Sequence, residues 1–180
     1  MTPFNMPVLG FAANSGTGKT TLLSRIIPLL NDRGLKTGLV KHSHHDFDID
    51  QPGKDSYRLR KAGASPVLLI SKHRQALITE LDGQEPVLKD QLQSFTDSSL
   101  DLIIVEGFKH EQFPKIELHR KALNNPLLFP SDPSIIAIAS DNNEVVKQTS
   151  LSEKLTFLDL NNLEQIVNFI IQFSQRRPYD

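Results

Sequence analysis

Between an apolar stretch, Pro7-Val8-Leu9-Gly10-Phe11-Ala12-Ala13, and a run with helical spacing through Leu22, Leu23, Ile26, Ile27, Leu29 and Leu30, the chain reads Ala13-Asn14-Ser15-Gly16-Thr17-Gly18-Lys19-Thr20-Thr21. No other segment restricts the fold as much. It fits the pattern G-x-x-x-x-G-K-[ST], with Ala13 in place of the first glycine. That replacement asks only that position 13 avoid positive φ. Gly16 and Gly18 let the backbone curl so that successive N–H groups point at phosphate oxygens, and the helix starting at Lys19 adds the partial positive charge of its N-terminus. On this reading residues Asn14, Ser15, Gly16, Thr17, Gly18, Lys19, Thr20 and Thr21 cradle the phosphates of a nucleotide. Lys19 bridges the β- and γ-phosphates, and the Thr20 hydroxyl ligates Mg²⁺. A chance glycine turn is the competing reading, but strand, glycines, Lys-Thr and helix all agree against it.

The rest of the chain alternates between the two periodicities. Strands are expected at Thr37 to Lys41, Val67 to Ser71, Ala76 to Leu81, Leu102 to Val105, Ile135 to Ala139 and Thr156 to Leu160. Lys115-Ile116-Glu117-Leu118-His119 alternates, which suits a half-exposed strand. Helices are expected at Ser56 to Ala62, Pro86 to Phe95 and from Leu163 through Ile166, Val167, Ile170 and Ile171. Asn161 with Glu164 resembles a capping box for the last of these, and the tail after Gln175 is expected to fray. Pro28 predicts a kink or an early end of the first long helix, and Gly34 its stop. Strands alternating with helices predict an α/β fold with a mostly parallel sheet. No linker divides residues 1–180, so a single domain is expected, with a surface loop from Asn124 to Pro133.

Composition narrows the function classes. Twenty Lys and Arg against 21 Asp and Glu leave a formal charge of −1, which disfavours a nucleic-acid binder. Cysteine is absent, excluding disulfides, thiol catalysis and cysteine-bearing zinc sites, and this fits a reducing cytoplasm. The N-terminus lacks a basic region followed by an apolar segment, so no secretory signal is expected. No apolar run approaches the roughly 18 residues that span a bilayer, so no membrane is expected as a partner.

A phosphate loop needs an acid at the end of a neighbouring strand. Leu102-Ile103-Ile104-Val105-Glu106-Gly107 supplies Glu106 where an apolar strand ends, the edge at which ligands bind open α/β sheets. Glu106 is a candidate for catalysis with Lys19 and for holding Mg²⁺, and Gly107 for offering its N–H to the γ-phosphate. An ordinary exposed strand-end glutamate is the alternative. Lys41-His42-Ser43-His44-His45-Asp46-Phe47-Asp48-Ile49-Asp50 has three readings. It is a switch-like loop with His44 as a phosphate donor and Asp48 as a metal ligand, a transition-metal site, or a solvated loop. Ser140-Asp141, after a late strand, is a candidate base contact, with a simple turn as the alternative. The chain has no N-K-x-D segment, and a phosphate loop by itself does not distinguish GTP from ATP.

The segments AANSGTGKTTLL, GLVKHSHHDFDIDQPGKDSYRLRKAGA and LDLIIVEGFKHE closely resemble the bacterial MobB family of molybdopterin-guanine dinucleotide biosynthesis adaptor proteins. The resemblance runs from about Pro7 to Phe173, and its second and third segments are more specific than the phosphate loop. It implies a P-loop NTPase-like three-layer fold with a mostly parallel central sheet, and a homodimer. It also implies binding of GTP and GDP with Mg²⁺, at most a slow GTPase activity, and cytoplasmic work in molybdenum cofactor maturation. The partners it implies are the molybdenum cofactor guanylyltransferase, which joins GMP to molybdopterin, and other proteins of that pathway. The departures are mild: Asn14 stands where an aromatic residue is familiar, and the loop from Asn124 to Pro133 varies. Two other functions share these features, a small-molecule kinase or ligase of the dethiobiotin-synthetase type and a nucleotide-driven metal chaperone using His42, His44 and His45.

Overall fold

The computed structural model describes residues 6–43, 46–96, 99–144 and 155–175. His44, His45 and the predicted fraying tail beyond Gln175 lie outside the described residues. In chain order the elements are β1 (Val8–Ala12), α1 (Lys19–Asp32), β2 (Thr37–Lys41), α2 (Asp55–Lys61), β3 (Val67–Ile70), β4 (Gln75–Ile78) and α3 (Leu88–Leu92). They continue with β5 (Leu102–Glu106), β6 (Lys115–His119), β7 (Ile135–Ser140), β8 (Thr156–Asp159) and α4 (Leu163–Ser174). The chain packs as two compact units, residues 43–87 and the remainder.

The larger unit is built on a six-stranded sheet in the order β2-β5-β1-β6-β7-β8, and its pairings are parallel. Helices cover both faces, as a parallel sheet requires. On one face α1 presents Leu22, Leu23, Ile26 and Leu30, and α4 presents Ile166, Val167 and Ile170, against Leu9, Phe11, Leu102, Ile104 and Ile116. On the other, Leu88 and Leu92 of α3 join Ile103, Val105, Phe108 and Phe113. Successive residues of β5 thus enter opposite layers, which is why its sequence is continuously apolar. The expected three-layer α/β architecture is the one observed.

Three local expectations change. Of the kink or early end expected at Pro28, the early end does not occur: α1 runs on to Asp32, and Pro28 sits on its exposed side. Fully buried Leu30, two residues on, offsets the missing hydrogen bond. The helix stops as Gly34 allows: Leu35 N–H donates to the Leu30 carbonyl at 3.0 Å and Gly34 N–H to that of Asn31 at 2.9 Å. The cap of α4 is one residue later than predicted. Asn162, not Asn161, accepts from the Gln165 N–H at 3.1 Å, while the Gln165 side chain accepts from the Asp159 N–H at 2.8 Å.

The third change concerns β6, which is buried along Lys115 to Leu118 rather than half-exposed. Its two charged residues are buried because the fold satisfies them. Lys115 Nζ donates to the carbonyls of Lys109 (3.2 Å) and Glu111 (2.7 Å), to Asp132 Oδ2 (2.8 Å) and to Ser134 Oγ (3.1 Å). The Glu117 carboxylate accepts the N–H groups of Leu128 (2.8 Å) and Phe129 (2.9 Å). Burial pushes Glu117 above its ordinary pKa, partly countered by those two N–H groups. Burial pushes Asp132 up as well, but hydrogen bonds from Lys115 and Ser134 outweigh it and hold the carboxyl below its ordinary value.

In the smaller unit α2 precedes an antiparallel hairpin of β3 and β4, which forms its own two-stranded sheet. The Arg60 guanidinium, nearly inaccessible, joins three carboxylates: Asp48 at 2.5 Å, Asp50 at 2.8 Å and Glu80 at 2.5 Å. It ties the stretch before α2 to the stretch after β4. Across the hairpin Leu68 faces Leu77, and with Ile70 they form an exposed apolar face.

Removing the Lys115 ammonium leaves Asp132 and two loop carbonyls short of their buried partner. Lys115→Met is expected to lower unfolding free energy by about 3 kcal/mol in urea denaturation. A midpoint equal to that of the unaltered protein contradicts this assignment.

Candidate functional site

The phosphate loop leaves the carboxyl end of β1 and enters α1 at Lys19. Gly16 (φ 78°) and Gly18 (φ 97°) both adopt the left-handed region, where a side chain is strained, and Gly18 is the N-terminal cap of α1. Thr17 between them is buried, and its hydroxyl donates to the Asn14 carbonyl at 2.7 Å, closing the loop on itself. That bond engages the Thr17 side chain within the loop. Asn14 Nδ2 donates to the Pro126 carbonyl at 3.4 Å. Lys19 Nζ arches back to the Ala13 carbonyl at 3.3 Å, so its ammonium lies across the loop. Burial lowers the Lys19 pKa from its usual 10.5; Glu106 opposes that shift, and Lys109 and Lys41 add to it. Ser15, Thr20 and Thr21 are exposed along the rim.

The acid predicted beside the loop is in register with it. Phe11 pairs with Glu106 across β1 and β5, and Lys41 pairs with Glu106 from β2. The Glu106 carboxylate is 3.5 Å from Lys41 Nζ. Its backbone carbonyl accepts the His42 N–H at 2.8 Å. Gly107 then turns at φ 102°, and a Cβ there would fall 2.7 Å from His42 Cβ and 3.1 Å from the His42 carbonyl. Only glycine fits so close to His42. Phe108 follows at φ 50°, its ring 4.7 Å from the His42 imidazole.

Ser140 and Asp141 stand at the carboxyl end of β7. Ser140 is buried, its Oγ 3.4 Å from His119 Nδ1, and it accepts the Asn142 N–H at 3.2 Å. Asp141 accepts the Lys121 N–H through Oδ1 at 3.0 Å and pairs with Arg120 through Oδ2 at 3.3 Å. A cavity of about 370 Å³ opens here, lined by Asp141, Asn142, Asn143, Phe157, Asp159 and Asn161 along with Ser140.

Of the remaining candidates, Asp48 belongs to the smaller unit, where its Oδ1 is held by Arg60. His44 lies outside the described residues, as does His45, so the metal-chaperone reading has only His42 among them. Among the described residues no group of three or more His, Cys, Asp or Glu could hold a metal ion. No helix among them is long and apolar enough to cross a membrane. Two cations escaped the sequence reading as site residues. Lys41 had a signal, since it ends a strand bound for the ligand edge. Arg120 had none, because a charged residue after a strand is ordinary.

The family model described as "MobB: Molybdopterin guanine dinucleotide synthesis protein B" matches residues 8–141. A molybdopterin-guanine dinucleotide biosynthesis adapter protein of Escherichia coli (strain K12) is 47% identical over 96% of this chain and 95% of its own. One of the same description from Haemophilus influenzae is 42% identical over 92% of this chain and 88% of its own. A solved structure titled molybdopterin-guanine biosynthesis protein B (mobB) superposes with a TM-score of 0.67 at 25% identity, covering 92% of this chain and 98% of that one. A phosphate loop on a parallel sheet, matched through β7 by one family and along nearly its whole length by two relatives, places this chain in the MobB family.

Proposed function

We propose that the protein is a GTP-binding adaptor that supports the attachment of GMP to molybdopterin in molybdenum cofactor biosynthesis. At most it is a slow, Mg²⁺-dependent GTPase. The phosphate loop carries the nucleotide part of this reading, with Gly16 and Gly18 turned, Lys19 across the loop and Glu106 one strand away. Membership of the family and the description of its relatives carry the adaptor part. Residues Asn14 to Thr21 take the phosphates, with His44 and Gly107 as further donors. Ser140 and Asp141 take the base, beside a cavity whose Phe157 offers a ring and whose Asn142 and Asn143 offer amides.

Thr20 and Glu106 offer only oxygen donors, as does Asp48, the third candidate from the sequence. Such a set suits a hard cation that keeps most of its waters, which is the habit of Mg²⁺. When bound, Mg²⁺ offsets the charge of the β- and γ-phosphates. Lys19 would do the same from the protein side, and Glu106 would help hold the metal. The reading extends to cytoplasmic work with the guanylyltransferase, in which the nucleotide state orders the loop around Asp48 to bias that partner.

The functional form proposed is a homodimer. The exposed Leu68, Ile70 and Leu77 face supports this, since an isolated two-stranded sheet is marginal in water. Dimers are expected in sedimentation, and Leu68→Asp combined with Leu77→Asp is expected to yield monomers. Monomers in the unaltered protein at micromolar concentration contradict the proposal.

Lys19 gives the nucleotide reading a pH signature. Its pKa is depressed in the free protein, and bound phosphate raises it again. Affinity for phosphate is therefore expected to fall as pH rises through the depressed value, where the ammonium is lost. Lys19→Ala is expected to weaken GTP about a hundredfold, to leave the circular dichroism unchanged and to lessen the alkaline fall measured with tripolyphosphate, which carries no guanine to deprotonate. Equal affinity in that variant overturns the phosphate-loop assignment.

A further inference from the structure

We propose that Arg120 couples the two halves of the nucleotide site, fixing the phosphate loop and the base-binding carboxylate with one guanidinium. The inference rests on the nucleotide site proposed above and gives it a positioning residue.

The topology singles out this position. Strand β6 lies between β1, which feeds the phosphate loop, and β7, which feeds Asp141. Ala12 of β1 is in register with Glu117, and His119 with Ser140 of β7. The chain leaving β6 therefore passes between the loop that reads phosphates and the turn proposed to read the base. Arg120 is the first residue past that strand, with an extended backbone (φ −124°, ψ 126°).

Its side chain uses both neighbours. Nε donates to the Thr17 carbonyl at 3.0 Å, and Nη1 donates to Asp141 Oδ2 at 3.3 Å. The Thr17 carbonyl belongs to the peptide that carries the Gly18 N–H. In a trans peptide those two groups point in opposite directions. A donor that fixes the Thr17 carbonyl thus also fixes the direction of the Gly18 N–H, one of the N–H groups proposed to meet phosphate. A Cβ built on Gly18 would lie 3.9 Å from Arg120 Nε and Nη2, so the guanidinium stands beside this glycine.

At the other end, Arg120 and the Lys121 N–H each hold one oxygen of Asp141. A carboxylate has about four acceptor positions. These two bonds fix its plane and leave acceptor positions over at a residue that lines the cavity. A guanidinium presents donors in several fixed directions from one rigid plane, whereas a lysine ammonium is a single point. Serving a carbonyl and a carboxylate together therefore calls for arginine.

The Arg120–Asp141 pair is partly exposed, and such pairs add little to global stability. Its effect belongs in binding. Calorimetric titrations with GTP, ATP and tripolyphosphate, at fixed Mg²⁺, separate the possibilities. Arg120→Ala is expected to weaken tripolyphosphate about tenfold and also to reduce the ratio of GTP to ATP affinity about tenfold, with an unchanged melting temperature. Asp141→Asn is expected to change only that ratio, and Arg120→Lys to rescue no more than one of the two effects. A uniform loss that preserves the ratio overturns the coupling, as does no loss at all. A wild type that binds tripolyphosphate without preferring GTP overturns the guanine reading and the coupling with it. A wild type that binds none of the three overturns the phosphate-loop assignment itself.

Discussion

Strand β1 has a parallel partner on each side, β5 and β6, and the placement of every candidate group in the larger unit follows from that register. Because neighbours run parallel, the ends of β2, β5, β1, β6 and β7 emerge on one edge. The loop after β1, the acid ending β5, the lysine ending β2 and the aspartate after β7 lie along that edge, and Arg120 spans from the loop to the aspartate. The core fixes this edge from below. Helices α1 and α4 clamp one face of the sheet through Ile26, Leu30, Ile166 and Ile170, all inaccessible to solvent. The start of α1 is thereby held where its N-terminal charge is useful. An ion pair between Arg33 and Glu164 joins the same two helices near their ends.

Strand β6 shows how polar burial serves the edge. Lys115 and Glu117 are buried in a strand whose neighbours are apolar, and each organises a loop. Lys115 gathers the carbonyls of Lys109 and Glu111, which follow Glu106 and Gly107 in the chain. Glu117 fixes the backbone at Leu128 and Phe129, two and three residues beyond the Pro126 carbonyl that receives Asn14. Charge placed inside the sheet thus fixes the segments bordering the phosphate loop on both sides. In the smaller unit Arg60 plays a comparable part, gathering Asp48, Asp50 and Glu80.

Much of this was legible beforehand, and the reasons are specific. Leu102 to Val105 had to be a strand buried on both faces, because alternating polar positions are missing. The glycines of the loop had to take positive φ for the same reason that they are glycines. Lys115 to His119 misled because alternation normally signals one wet face, and local pattern does not reveal that Asp132 and two carbonyls wait for a lysine. The α4 cap slipped by one residue because Asn161 and Asn162 are both good caps, and Gln165, reaching back to Asp159, decides between them. Arg120 was invisible because its role depends on which strands flank β6, a property of topology rather than of spacing.

A site assembled this way should recognise a nucleotide by phosphates, metal and base at once. Titration of the purified protein with GTP, GDP and ATP, with and without Mg²⁺, tests that most directly. The account predicts tight binding of GTP that depends on Mg²⁺ and exceeds that of ATP by at least about tenfold, or ~1.4 kcal/mol. Equal affinity for GTP and ATP, or affinity indifferent to Mg²⁺, would contradict it.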